Sequence, residues 1–185
     1  MGPSDDGQTI ARCLAGDREA FEMIVNKYQS GVLSLAWSVL GNRAEAEDAA
    51  QEAFIRAYLN LQNFDRAKDF KNWLYAIAYK RCLDRIREVK TEKKYRSRMA
   101  EAVAPVMCGL GTEPGAEESV LLSPLLKKLT LKERLALTLS INEEYTAAET
   151  AEVLRCAEST ARVHLFNAKR KLRKGLERNS YVQKI

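Results

Sequence analysis

Five helix-breaking residues fall close together near the middle of this chain: Pro105, Gly109, Gly111, Pro114 and Gly115, all among small side chains. Proline removes a backbone donor and glycine raises the entropy cost of order, so the stretch from about Ala100 to Ser119 reads as a tether rather than an element. On both sides the spacing is helical. From Thr9 to Arg98, apolar residues such as Ile10, Leu14, Phe21, Ile24, Tyr28, Val32 and Leu35 recur mostly at steps of three and four. A second helical block runs from Val120 to Arg178. No strand-type alternation flanked by turns interrupts either block, and no repeat relates them. The expectation is an all-α protein with two small helical domains, residues 1–97 and 122–185, joined by a flexible linker over 98–121.

Local punctuation supports helix ends inside the first block. Gly16-Asp17 and Gly41-Asn42 read as breaks, with Asp17 and Asn42 placed to cap the helices that follow. No apolar run approaches the roughly 20 residues of a membrane span, and MGPSDDGQTI lacks a basic stretch followed by an apolar one, so neither membrane insertion nor a secretory signal is expected. Met-Gly superficially fits a myristoylation site, but Asp6 stands where that motif needs Ser or Thr. Cys13, Cys82, Cys108 and Cys156 are scattered, and His164 is the single histidine. This pattern argues against a zinc site and for a cytoplasmic protein with small buried thiols; Cys108 keeps a weak claim to a redox role.

Charge is distributed unevenly. The net charge of +5 divides into +1 for residues 1–95, −2 for 96–122 and +6 for 123–185. A basic C-terminal end is the footprint of an element that meets phosphate. Within that block, Tyr145 to Leu154 followed by Arg155-Cys156-Ala157-Glu158 and then Ser159 to Gly175 reads as helix, tight turn, helix, with Ala151 small at the crossing and Ser159 as cap. Ala161, Leu165, Ala168, Leu172 and Leu176 share an inward stripe, while Arg162, Val163, Phe166, Asn167 and Arg170 share the opposite one. In a helix-turn-helix the second helix enters the major groove, where Arg pairs with guanine, Asn with adenine, and an apolar side chain meets a thymine methyl. Lys169, Lys171, Arg173 and Lys174 extend the basic surface toward phosphates.

The stretch Asn42–Arg87 is graded: acidic at the start (Asp48, Glu52), aromatic in the middle (Phe64, Phe70, Trp73, Tyr75, Tyr79), basic at the end (Lys80, Arg81, Arg85, Arg87). An acidic helical face suits a basic protein partner, and an aromatic and basic surface suits bases that can be unstacked. Together these segments point to a bridge between a protein assembly and DNA. A solvated basic helix on an ordinary bundle is the bland alternative for the C-terminal block.

These motifs resemble the extracytoplasmic-function group of bacterial sigma factors, the smallest class of the sigma-70 family. Glu47 to Phe54 is similar to the family's polymerase-binding helix, Phe70 to Ala78 with Asp84-x-x-Arg87 to its promoter-melting segment, and Glu149–Leu154 with Ser159–Arg162 to its −35 reader. The resemblance implies that Asp48, Gln51, Glu52 and Phe54 dock on a coiled coil of core RNA polymerase. It implies that Phe64, Asp65, Arg66, Lys68 and Phe70 capture an extruded −10 base, with Lys80, Arg81, Arg85 and Arg87 tracking the promoter DNA backbone. Trp73 and Tyr75 could serve there or in the core. Ser159, Thr160, Arg162, Val163, Phe166, Asn167, Lys169 and Arg170 would read the −35 element. No catalytic residue, metal or cofactor is called for, and an anti-sigma factor is the implied regulator. The family often has Asn at Lys80, Gly at Arg155, Ile at Thr150 and a basic residue at Asn167. A stand-alone helix-turn-helix regulator and a pure interaction module are the competing readings.

Overall fold

The computed structural model describes residues 6–99, 125–126 and 128–182. Among these there are seven α-helices and one 3-10 turn, with no strand: α1 (Asp6–Leu14), α2 (Arg18–Leu40), α3 (Arg43–Leu59), the turn Leu61–Asn63, α4 (Phe70–Met99), α5 (Leu131–Asn142), α6 (Ala147–Leu154) and α7 (Glu158–Val182). The chain divides into two compact units, Met1–Met107 and Cys108–Ile185. The tether expected over 98–121 lies almost wholly outside the described residues.

In the first unit the expected helix ends are formed. Gly16 (φ +98°) and Gly41 (φ +68°) supply the left-handed turns after α1 and α2. The Asp17 carboxylate accepts from the Ala20 amide and the Asn42 side chain from that of Glu45, each satisfying a donor the helix start would otherwise leave open. α2, α3 and α4 each pack on the other two, and α1 lies along α2. Their core combines large side chains of α2 and α4 (Ile24, Val32, Leu35, Phe70, Leu74, Tyr75) with an alanine seam on α3: Ala46, Ala49, Ala50, Ala53 and Ala57. Alanine costs no side-chain entropy in a helix and lets backbones approach closely, so α3 can be enclosed on two sides while its third face stays outside. The N-terminal helix is pinned by buried Asp6, which accepts from the Tyr28 hydroxyl and the Lys27 ammonium, both at 2.6 Å.

The second unit is a three-helix arrangement with α5 and α6 both packed on α7. Thr130 with Glu133 and Thr146 with Glu149 form capping boxes at the starts of α5 and α6, each fixing two donors reciprocally. Leu129, Leu137 and Ala168 form a buried cluster with Leu126, Leu165 and Leu172 packed on it. Gly175 lets Leu125 lie against α7 where a Cβ would meet the leucine side chain. Two expectations are corrected here. α7 begins at Glu158, with the Ala157 carbonyl accepting from Thr160 and Ala161, so Ser159 lies inside the first turn and does not cap it. Leu176 is 48% exposed, because the inward stripe outruns the two helices it packs against.

Candidate protein and nucleic-acid interfaces

The free face of α3 carries two of the four residues expected to dock a partner. Asp48 and Gln51 are exposed. Phe54 is buried beside the alanine seam, where it supports the helix from behind rather than meeting a partner. Glu52 is half-buried and engaged: the Arg81 guanidinium donates to both of its carboxylate oxygens, Nη2 at 3.0 Å to one and Nε to the other. Arg81 also donates to Glu88 at 2.9 Å. This arginine, expected to follow a DNA backbone, is 7% exposed and serves as a tie between α3 and α4. Its hydrogen bonds to Glu52 raise its pKa against the opposing effect of burial, and its separate hydrogen bond to Glu88 lowers the pKa of that carboxyl. Arg85 adds a parallel tie, reaching Glu45 at 3.5 Å and Glu88 at 3.4 Å. Of the four basic residues expected along this helix, Lys80 and Arg87 keep an outward charge, Arg87 sharing its own with Asp84 at 3.0 Å.

The loop before α4 divides by chemistry. Phe64 and Phe70 are 8% and 2% exposed. They join Trp73 and Tyr28 in one aromatic cluster, with Phe64–Phe70 centroids 5.3 Å apart and nearly perpendicular, and Phe64–Trp73 at 5.1 Å. Two of the residues expected to meet a base directly are therefore the floor of the loop. Asp65, Arg66 and Lys68 are exposed above it. The loop is locally fixed: Asp65 Oδ1 accepts from the Ala67 amide at 3.0 Å, and Asp69 Oδ1 from the Asn72 amide at 2.9 Å as α4 begins. Tyr75, left open by sequence, is core at 1% exposed; Trp73 is half-buried.

The helix α7 has the opposite arrangement. Val163 is 54% and Phe166 64% exposed, unusual for apolar side chains of this size, and they sit between exposed Arg162 and Arg170. The Arg170 guanidinium lies over the Phe166 ring at 5.8 Å, and Arg162 pairs with Glu158 one turn back. Ser159 and Lys169 are exposed as well, with Thr160 and Asn167 at the margins. Ala161 and Ala168 are fully buried on the reverse face, so the two stripes expected from spacing are present up to Leu172. Lys171 departs from the phosphate-facing set: its ammonium donates to both oxygens of buried Glu133 at 2.7 and 2.9 Å. The turn before α7 closes with Arg155 in the left-handed region (φ 50°, ψ 55°), its amide directed to the last carbonyls of α6.

Among the described residues no group of His, Cys, Asp and Glu could hold a metal ion, and no helix is long and apolar enough to cross a membrane. Cys82 is fully buried, which pushes its thiol up to about 12, and Cys13 is buried too; Cys108 lies outside the described residues.

Comparison with known proteins agrees with this division. Residues 24–91 match sigma-70 region 2 and residues 120–172 match sigma-70 region 4. The ECF RNA polymerase sigma factor SigW of Bacillus subtilis is 34% identical, over 90% of this chain and 94% of its own length. Two solved structures share the fold: the sigma factor RpoE with the anti-sigma factor NepR from Bartonella quintana (TM-score 0.70, 19% identity, 85% of this chain and 96% of that one), and CnrH with the cytosolic domain of CnrY (TM-score 0.68, 21% identity, 91% and 95%). With a region 2 unit whose α3 leaves Asp48 and Gln51 exposed and a region 4 unit whose α7 leaves Val163 and Phe166 exposed, the chain belongs to the ECF RNA polymerase sigma factors.

Proposed function

We propose that residues 1–97 dock core RNA polymerase and hold the opened −10 element, that residues 122–185 read the −35 element, and that residues 98–121 connect the two. The observation that carries this reading is the outward presentation of Val163 and Phe166 between arginines on a helix-turn-helix whose other face packs inward up to Leu172. Large apolar side chains are kept in water at a cost, and a thymine methyl in a major groove is the partner that such positions fit. Arg162 and Asn167 would supply hydrogen bonds to base edges, while Lys169 and Arg170 would hold phosphates.

In the first unit, Asp48 and Gln51 meet the polymerase. Glu52 and Phe54 act from behind, one by tying α3 to α4 and the other by packing. Over the aromatic floor of Phe64 and Phe70, the exposed Asp65, Arg66 and Lys68 receive the displaced strand, with Lys80 and Arg87 providing charge along α4. Capturing an unstacked base offsets the few kcal/mol that opening a step costs. The sigma factor family is not a family of enzymes; here the chain contributes recognition and strand capture and the polymerase contributes the chemistry, in the cytoplasm where that enzyme works. An anti-sigma factor is the proposed regulator, supported by the fold relative RpoE having been solved with one.

The test is binding of the full chain to purified core polymerase, alone and with Asp48→Arg. The reading expects nanomolar binding that falls about tenfold or more in the variant. Tight binding to a palindromic duplex without polymerase, and none to the core enzyme, would instead favour a stand-alone regulator.

A further inference from the structure

The free face of α3 does not end at its acidic residues. Glu45, Glu52 and Arg56 lean toward α4, reaching Arg85, Arg81 and Asp84 respectively. Tyr58 leans the other way, its ring 5.0 Å from that of Phe21 on α2. Between these flanks the helical repeat puts Asp48, Ile55 and Leu59 within about 20° of one line, over roughly 16 Å of helix. Ile55 is 58% and Leu59 66% exposed, two large aliphatic side chains one turn apart. Both lie past Phe54, seven and eleven positions beyond Asp48, and so share its side of the helix.

We infer that Ile55 and Leu59 are the apolar half of the polymerase-docking face, and that the occupant is a helix of the core enzyme carrying a basic group about two turns from an apolar one. The inference rests on the docking role proposed above and deepens it. Continuity selects this occupant: the apolar pair extends the line of Asp48, with Gln51 exposed beside it, and no other exposed acid shares that line between the two flanks. An amphipathic helix laid along this line would engage charge at one end and buried aliphatic surface at the other, the usual anchor pattern of helix recognition. The acidic end sets attraction and register, while the desolvated apolar end holds the complex. Glu52 belongs to the flank, because its carboxylate is already committed to Arg81.

The experiment compares core-polymerase binding by the full chain, the Ile55→Ser/Leu59→Ser variant, the Ile55→Leu/Leu59→Met variant and Asp48→Arg, at low and high salt. Circular dichroism checks that each is folded, and sedimentation measures self-association. The inference expects the serine pair to lose about tenfold or more in affinity at both salt concentrations, the aliphatic pair to stay near the parent, and the Asp48→Arg defect to shrink as salt screens it. Parent-like binding by the serine pair, with Asp48→Arg still defective, would overturn the apolar anchor and leave the docking role standing. A parent dimer dispersed by the serine pair, with polymerase binding intact, would overturn it in favour of a second copy of this chain. No binding by the parent would remove both readings.

Discussion

α4 and the reader helix α7 look alike in sequence, each mixing aromatic and basic residues, yet they use them in opposite ways. On α4 the aromatics turn inward: Phe70 is 2% exposed and joins Phe64, Trp73 and Tyr28. Its Arg81 is buried between two carboxylates. On α7, Phe166 stands 64% exposed beneath an arginine, and Arg162 reaches only a neighbour on its own helix. The difference comes from surroundings. α4 is flanked by both α2 and α3, which enclose its apolar side, whereas α5 and α6 cover one side of α7 and leave the other to solvent. A residue type therefore does not state its role until its neighbours are known. Here Phe166 faces outward on α7, while Phe64 and Phe70 face inward beneath the loop before α4.

Paired truncations give the sharpest contrast. Phe70→Ala should cost about 3–5 kcal/mol in urea denaturation of the region 2 unit, since it opens a cavity among three aromatic rings. Phe166→Ala should change stability by no more than about 0.5 kcal/mol while weakening −35 duplex retention by the polymerase complex. Equal stability losses would erase the distinction.

A smaller effect separates the two buried ties. Lys171→Met should destabilise the region 4 unit by about 2 kcal/mol at neutral pH by leaving Glu133 without its counter-charge. Burial acts to raise the Glu133 carboxyl pKa, but the Lys171 ammonium and the Thr130 contacts outweigh it and hold the carboxyl below its ordinary value. A lowered native pKa contributes stability above the unfolded value, about 4.3, and loses it as pH falls through the native one. Parent stability should therefore decline on acidification below about pH 4.3, and the variant should show a flattened or reversed slope there. Arg81→Ala should cost about 1–2 kcal/mol, less than a wholly buried pair, because Glu52 and Glu88 can be rehydrated.

The smallest gain lies in the turn between the two helices of the reader. Arg155 holds a left-handed conformation that glycine adopts without penalty, so Arg155→Gly should raise stability by about 1 kcal/mol, read as an increase in Tm. Unchanged or lowered Tm would mean that the arginine side chain makes a compensating contact.

The fold was legible because the cues were local. Asp17, Asn42, Gly16 and Gly41 carry out the roles that their chemistry forecasts, and the apolar spacing of α7 forecasts its two faces. Ser159 has the chemistry of a cap but lies inside the first turn, because the helix starts at Glu158 with Ala157 just before it. Family likeness brought Phe54, Phe64, Phe70 and Arg81 forward as contacts. It could not show that three helices close over them, because that depends on non-local packing. Ile55 and Leu59 were readable from the helical repeat, but they fell outside the motif.

Transcription with core polymerase on a promoter library tests the account most directly. The prediction is that the chain adds start sites sharing one −35/−10 pair, and that Phe166→Ala combined with Arg162→Ala removes preference at the −35 element while leaving core binding intact. If the chain binds core polymerase but directs no new starts, or if the α7 variant leaves −35 preference unchanged, the assignment of α7 as the promoter reader is wrong.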